Sequence, residues 1–363
     1  MLRVDRRLVR NVDWALLAAA LFVIALGLLS MWSLAPGRTG ASLVSRQLSW
    51  VAIGLMAMLA VASLDYRSLV RFAPAFYVMG LALLLSVFVL GRTVSGARRW
   101  IHVGSITFQP SELFKLIFVV TLAWALTWRL EGAPSRSTVL ASLALLGVPF
   151  LLVVRQPDLG TALVLIPVTG AVLVGVGVRL RALGALALAG LAALPLGWRL
   201  LKPYQQDRLL VYLDPFRDPL GTAYNVIQAK IAIGSGQLLG KGVRDATQSR
   251  LAFLPERHTD FIFAVFAEMW GFVGCLVLIV AYGLLVLRGF EIAASTRDPQ
   301  GRVLALGVTA VFAAQILINL GMVTGLLPVV GIPLPLMSYG GSSMVASLMG
   351  LGVLLSIRMR QFR

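Results

Sequence analysis

Charge and cysteine are what this sequence has least of. Only 13% of its residues are Asp, Glu, Lys or Arg, about half the share a soluble domain carries, so water is the wrong solvent for most of its surface. The single cysteine, Cys275, sits inside an apolar run, which excludes a disulfide framework and a cluster of metal-binding thiolates. Acids are scarcer than bases, 15 against 32. That surplus does not point to nucleic acid, because the arginines stand singly between apolar runs and do not gather on one polar face. Strand-like alternation is missing from the runs too, which removes a lipid-embedded barrel.

What is present is apolar sequence from end to end. The 363 residues are 59% hydrophobic, with a mean hydropathy of +0.89. The pattern predicts an all-α polytopic membrane protein, one transmembrane domain over 1–363. Ten spans are expected, at 14–35, 46–64, 70–90, 110–129, 138–154, 159–178, 181–200, 261–288, 303–328 and 337–357. The first run follows Arg3, Arg6, Arg7 and Arg10 like a signal peptide, but it is too long for one and reads as an uncleaved span. Residues 201–260, between spans seven and eight, form the one large polar loop. Placing both termini in the cytoplasm leaves sixteen arginines in inner segments and six in short outer loops, which favours that orientation. The large loop is then extracytoplasmic, and the nine Lys and Arg between 199 and 257 nearly cancel the bias. The arginines read as topology determinants and contacts to membrane lipids.

Several stretches concentrate polar residues. "GSGQLLGKG" (234–242) imitates a phosphate loop, yet Ser235 stands where a Walker A motif needs Gly, and Gly242 where it needs Ser or Thr. Its backbone, with Lys241 and Arg244, remains either a cradle for pyrophosphate or a plain turn. Residues 222–233, carrying Lys230, suit a short interfacial helix. In "GARRWIHVGSITFQPSELFKL" (96–116), Glu112 and Lys115 fall one turn apart inside the fourth span, after Arg98, Arg99 and His102. Ionisable groups there face a cavity or each other. "RQPDLGTALV" (155–164) echoes "FQPSELFKL", with Asp158 as a helix cap. Gln315 and Asn319 precede "TGLLPVVGIPLPLMSYGGSS" (324–343), which includes Ser338; its prolines and glycines predict broken helix around a polar cavity.

"LPERHTDFIFAVFAEMWG" (254–271) gathers Glu256, Arg257, His258 and Asp260 at the mouth of an apolar run. On a continued helix Asp260 shares a face with Ala264, Ala267, Gly271 and Gly274. Glu268 lies ~12 Å deeper by helical rise, too far for a paired-carboxylate site. Spacing leaves two readings open: Asp260 as a general base flanked by His258 and Arg257, or Thr259 or Asp260 as an ordinary helix cap.

These motifs together resemble the SEDS (shape, elongation, division and sporulation) family over nearly the whole chain. "LDPFRDPLG" and "QAKIAIGSGQLLGKG" are more similar to its elongation branch than to its division branch. One departure is "FAEMWG", where Met269 replaces a common acid. The resemblance implies a peptidoglycan glycosyltransferase of the bacterial cytoplasmic membrane that polymerises lipid II at the outer face. It also implies a class B penicillin-binding protein as partner, alongside other membrane proteins of the elongation complex. The family's critical aspartate falls on Asp260, and its fourth-span acid and base on Glu112 and Lys115. Asp260 would take the acceptor proton. Positive charge for the leaving pyrophosphate would come from among Arg98, Lys115, Lys230, Lys241 and Arg244, or from a divalent cation, Mg2+ or Mn2+. His258 and Ser338 complete the expected substrate contacts. One evident carboxylate predicts a single inverting displacement. The rival readings are a lipid II flippase and a non-catalytic scaffold that activates its partner.

Overall fold

The computed structural model describes residues 11–34, 38–94, 97–104, 106–128, 136–200, 203–214, 218, 223–246 and 256–361. Eight described helices are long and apolar enough to cross a membrane: α1 (Trp14–Ser33), α2 (Arg38–Ser63), α4 (Ala73–Leu90), α5 (Pro110–Trp128), α6 (Arg136–Arg155), α12 (Ile262–Ser295), α13 (Pro299–Thr324) and α14 (Gly341–Arg360). Two shorter apolar helices, α7 (Leu159–Gly175) and the Leu180–Ala192 part of α8 (Leu180–Leu200), complete the ten expected runs. A short α3 (Tyr66–Arg71), capped by Asp65, precedes α4.

Burial sorts these helices. The apolar windows of α5, α13 and α14 are 83%, 72% and 78% buried, whereas those of α2, α4 and α6 are 22% buried. The first three therefore form the centre, and the others turn Met56, Leu59, Val89 and Leu140 outward, as lipid-facing helices do. The centre carries Glu112, Lys115, Gln315 and Asn319, all nearly inaccessible.

Three places depart from the expected spans. The ninth ends at Thr324, because Gly325 adopts a left-handed φ of 78° and its N–H bonds back to Gly321 and Met322; this is the usual glycine termination. The tenth begins only at Gly341. Residues 325–340 between them hold Pro328, Pro333 and Pro335 and form no helix. Buried Ile332, Leu334, Leu336 and Met337 fold this segment into the protein, where irregular backbone at membrane depth is tolerated.

The third departure is inside α12. The expected face continuing from Asp260 through Gly271 to Gly274 does not exist, because Gly271 is non-helical (φ 64°, ψ −163°) and breaks the helix. The large loop repairs the break. Phe272 N–H donates to Gln237 O at 2.8 Å, Val273 N–H to Leu238 O at 3.1 Å, and Lys241 N–H to Glu268 O at 3.0 Å. Backbone groups freed in a membrane span must find such partners. The loop reaches them because Gly240 is bare: a Cβ there would stand 2.1 Å from Met269 O. "GSGQLLGKG" is thus a wedge into a broken span.

The loop also holds α9 (Pro203–Leu213), α10 (Tyr224–Ser235) and α11 (Gly242–Asp245). Helix α10 coincides with the helix expected over 222–233, and α9 was not anticipated. Also unanticipated is a small antiparallel sheet before α5, ordered β1 (Arg92–Val94), β2 (Ala97–Val103) and β3 (Ile106–Phe108). Ile101 pairs with Phe108 and His102 with Thr107 across β2 and β3.

Candidate active site

The turn 256–261 leads into α12, whose N-cap is Phe261 with no side-chain cap bond. Neither Thr259 nor Asp260 therefore caps the helix. The Thr259 hydroxyl turns back on Glu256 Oε2 at 2.9 Å. Asp260 is half-buried at the end of the turn.

The backbone of this turn is stapled, residue by residue, to the irregular segment 325–340 and to α13. Tyr339 N–H donates to His258 O at 2.8 Å. The Ser338 hydroxyl donates to Thr259 O at 2.6 Å and accepts from Leu334 N–H at 2.8 Å. The Asn319 amide donates to Asp260 O at 2.9 Å and to Ile332 O at 2.7 Å. Three successive carbonyls are thus held by side-chain or backbone donors from elsewhere in the chain. Gln47 of α2 locks the other side, donating to Ser338 O at 3.2 Å and accepting from Gly340 N–H at 3.3 Å. Such support is what holds a reacting group in one geometry. Ser338, expected as a substrate contact, is 3% exposed, and its hydroxyl is engaged by Thr259 O and Leu334 N–H, which makes it a support of the turn.

His258 packs edge-on against Tyr339, ring centroids 5.6 Å apart. Burial pushes its pKa below the usual 6.5, against the pull of Glu256 and with the help of Arg257, so the ring is neutral at pH 7. Burial also lowers the pKa of Arg257.

The fourth-span pair is as close as its spacing implied. Lys115 Nζ lies 2.7 Å from Glu112 Oε1, and both side chains are under 5% exposed. The entry to this helix is fastened to α7 through Asp158. Its Oδ2 accepts from Gln109 Nε2, Ser111 Oγ and Thr161 Oγ1, each at 3.0 Å, and its Oδ1 from Thr161 N–H at 3.3 Å. The echo between "FQPSELFKL" and "RQPDLGTALV" is therefore a physical contact, and Asp158 is both the expected helix cap and a bridge. Arg99 joins it, Nη1 standing 3.8 Å from Asp158 Oδ1. Its neighbour Arg98 is exposed on β2 and reaches Phe88 O.

The remaining cations are dispersed. Lys241 pairs with Glu268, Nζ to Oε1 3.4 Å, at the helix break. Exposed Lys230 runs over Gly325, its Cε only 2.2 Å from where a Cβ there would stand; this places its ammonium at the negative end of α13. The Arg244 side chain lies outside the described residues. The structure thus brings Asp260, His258 and Ser338 together and makes Glu112–Lys115 and Lys241–Glu268 into pairs. Among the described residues no three His, Cys, Asp or Glu side chains gather as a metal cage. A divalent cation held by the described residues would draw on at most one or two carboxylates, which is how Mg2+ is usually held.

Gln47 and the Gln109–Ser111–Asp158 bridge were not foreseen as parts of the site. Only the Gln-Pro repeat signalled the bridge, and nothing local signalled Gln47, which lies more than two hundred residues from the segment it holds.

Comparison with known proteins agrees with this architecture. A family model described as a cell cycle protein, FtsW/RodA/SpoVE, matches residues 9–362. The peptidoglycan glycosyltransferase MrdB of Escherichia coli K12 is 41% identical over 349 residues, covering 96% of this chain and 93% of that protein. Stage V sporulation protein E of Bacillus subtilis is 37% identical over 315 residues, covering 86% of each. Among solved structures, a chain from a peptidoglycan synthase complex that coordinates polymerization and crosslinking superposes with a TM-score of 0.82, at 35% identity, covering 97% of this chain and 99% of that one. The rod shape determining protein RodA of Thermus thermophilus gives 0.72 at 33% identity, covering 97% and 98%. With ten apolar helices, the stapled Asp260 turn and a match over nearly its whole length, this chain belongs to the FtsW/RodA/SpoVE family of integral membrane proteins.

Proposed function

We propose that this protein is a peptidoglycan glycosyltransferase of cell elongation, polymerising lipid II at the outer face of the bacterial cytoplasmic membrane with Asp260 as general base. The observation that carries the assignment of the base is the turn 258–260, whose three carbonyls are held by Tyr339, Ser338 and Asn319. A helix start needs no such scaffold, and a carboxylate that must meet a hydroxyl in one orientation does.

In the step itself, Asp260 takes the proton of the acceptor sugar hydroxyl as its oxygen bonds to the anomeric carbon of the donor. The bond from that carbon to pyrophosphate breaks, and the leaving group departs with the electron pair. Pyrophosphate is a good leaving group and needs positive charge more than a proton. Exposed Arg98 and Lys230 are the cations proposed to meet it, together with Arg244. Lys115 and Lys241, each already paired with a carboxylate, are assigned to holding the spans together. A single displacement inverts the anomeric centre. Both termini are placed in the cytoplasm, and a class B penicillin-binding protein is proposed as partner. The structural likeness to a chain of a synthase complex that couples polymerization to crosslinking supports that partner.

The test uses the purified full-length protein with labelled lipid II, with and without a cognate class B penicillin-binding protein. Wild type is expected to make glycan polymer and Asp260→Ala to make none at an unchanged melting temperature. Polymer from Asp260→Ala at the wild-type rate would remove the base. No polymer from wild type, with lipid II crossing proteoliposome membranes instead, would establish the flippase. Retained stereochemistry in the product would overturn the single displacement.

A further inference from the structure

One helical turn from Asn319 along α13, the three central spans border a second polar place. Glu112 and Lys115 of α5, Gln315 of α13 and Ser347 of α14 line a cavity of about 10 Å³, beside apolar side chains such as Val311 and Phe312. Gln315 is 2% exposed, and its Nε2 donates to no atom among the described residues. A buried amide in a membrane span is costly unless something completes its hydrogen bonds. The neighbouring groups offer both kinds of partner: the Glu112 carboxylate accepts, the Lys115 ammonium donates, and the Ser347 hydroxyl does either. The cavity is at the size that admits one water, and it has the two to four polar partners that keep a buried water in place, where an apolar cavity would stay dry.

We propose that this cavity is a site for a single buried water, and that the water makes Gln315 a positioning residue for Asp260. The water bridges the Gln315 amide to the Glu112–Lys115 pair and to Ser347, and so ties α13 to α5 and α14 at one level. Whichever amide atom of Gln315 faces the cavity, the water can answer it as donor or acceptor. Asn319 stands four residues further along α13, on the same face. Its amide holds Asp260 O and Ile332 O. Fixing the rotation of α13 at Gln315 therefore aims Asn319, and Asn319 aims the Asp260 turn. The Glu112–Lys115 pair thus acquires a mechanical link to the Asp260 turn. The catalytic half of this proposal rests on Asp260 being the base; the water site does not.

Two variants of the full-length protein and two readouts test it. Gln315→Met keeps the length of the side chain and deletes the amide. Gln315→Glu keeps the length of the side chain and a hydrogen-bonding head. A high-resolution structure of the wild type is expected to show one ordered density within hydrogen-bond reach of the Gln315 amide, lost in Gln315→Met. In lipid II polymerisation, Gln315→Met is expected to lose about tenfold in kcat, the worth of one buried hydrogen bond. KM and melting temperature should stay near wild type, and Gln315→Glu should recover most of the rate. An empty wild-type cavity would overturn the water. A wild-type kcat in Gln315→Met, or a loss that follows its melting temperature and is not rescued by Gln315→Glu, would overturn the positioning role. If Asp260→Ala polymerises normally, the base is wrong, and the density still decides the water site by itself.

Discussion

Lys241 has two competing roles, a ligand for pyrophosphate and the charge partner of Glu268, and a double-substitution cycle separates them. Lys241→Met removes an ammonium 3.4 Å from Glu268 Oε1. Exposed ion pairs contribute about 0–1 kcal/mol, and removing one partner of a buried pair costs about 3–5 kcal/mol. The Lys241 side chain is 31% exposed and that of Glu268 is 0%, so this pair falls between the limits, at about 2 kcal/mol. The cost is borne at the helix break, where buried Glu268 loses its contact with the Lys241 ammonium. Lys241→Met/Glu268→Gln removes both charges while keeping the size of the buried side chain, and is expected to restore most of the loss. Read as thermal unfolding of the detergent-solubilised protein at one scan rate, the single variant should melt about 5 °C below wild type at about 2–4 °C per kcal/mol. The double variant should return to within about 2 °C of wild type. Polymerising activity should follow the melting temperature in both. An unchanged melting temperature in Lys241→Met would refute the pairing argument. A double variant that regains its stability but makes no polymer would return Lys241 to the substrate.

Asn319→Leu strips the donors from Asp260 O and Ile332 O; two lost bonds of about 1 kcal/mol each imply roughly a 30-fold fall in kcat, and a rate within threefold of wild type would show that the turn holds without Asn319. Gly240→Ala should fail to give folded protein, since its Cβ would stand 2.1 Å from Met269 O at a φ of 83°, whereas Gly234→Ala, with nothing within 4 Å, should be tolerated; equal yields and melting temperatures for the two would remove the wedge. The folded-state pKa of His258 is lowered from 6.5 by burial, so the unfolded chain binds that proton more readily. Stability is then complete above the unfolded pKa and lost as pH falls through the folded one. The melting temperature should therefore decline from pH 7 to about 5, and His258→Gln should flatten that decline; an equal slope in both proteins would assign the effect to other groups.

How much of this was legible from the residues in order follows from which interactions are local. Transfer from water to lipid is additive along a short window, so ten apolar runs announced ten helices, and Asp260, Glu112 and Lys115 stood out as charges that lipid does not welcome. The i, i+3 spacing of Glu112 and Lys115 put them on one face, because a helix brings those positions together by itself, but it left open whether they meet each other or a cavity. Span ends were less legible: Gly325 and the prolines after it closed one helix early, and only the fold shows that residues 325–340 run inside the protein. The broken helix at Gly271 had no local signal. Its compensation comes from Gln237, Leu238 and Lys241, some thirty residues upstream, and a glycine in an apolar run reads equally well as close packing. The same distance hid the links from Ser338 to Thr259, Asn319 to Asp260 and Asp158 to Ser111. The sequence by itself determined the solvent of each segment and the family, and narrowed the proposed base to one carboxylate. The tertiary structure decided which polar groups hold the backbone of its turn still, because a hydrogen bond depends on separation in space, and separation along the chain does not disclose it.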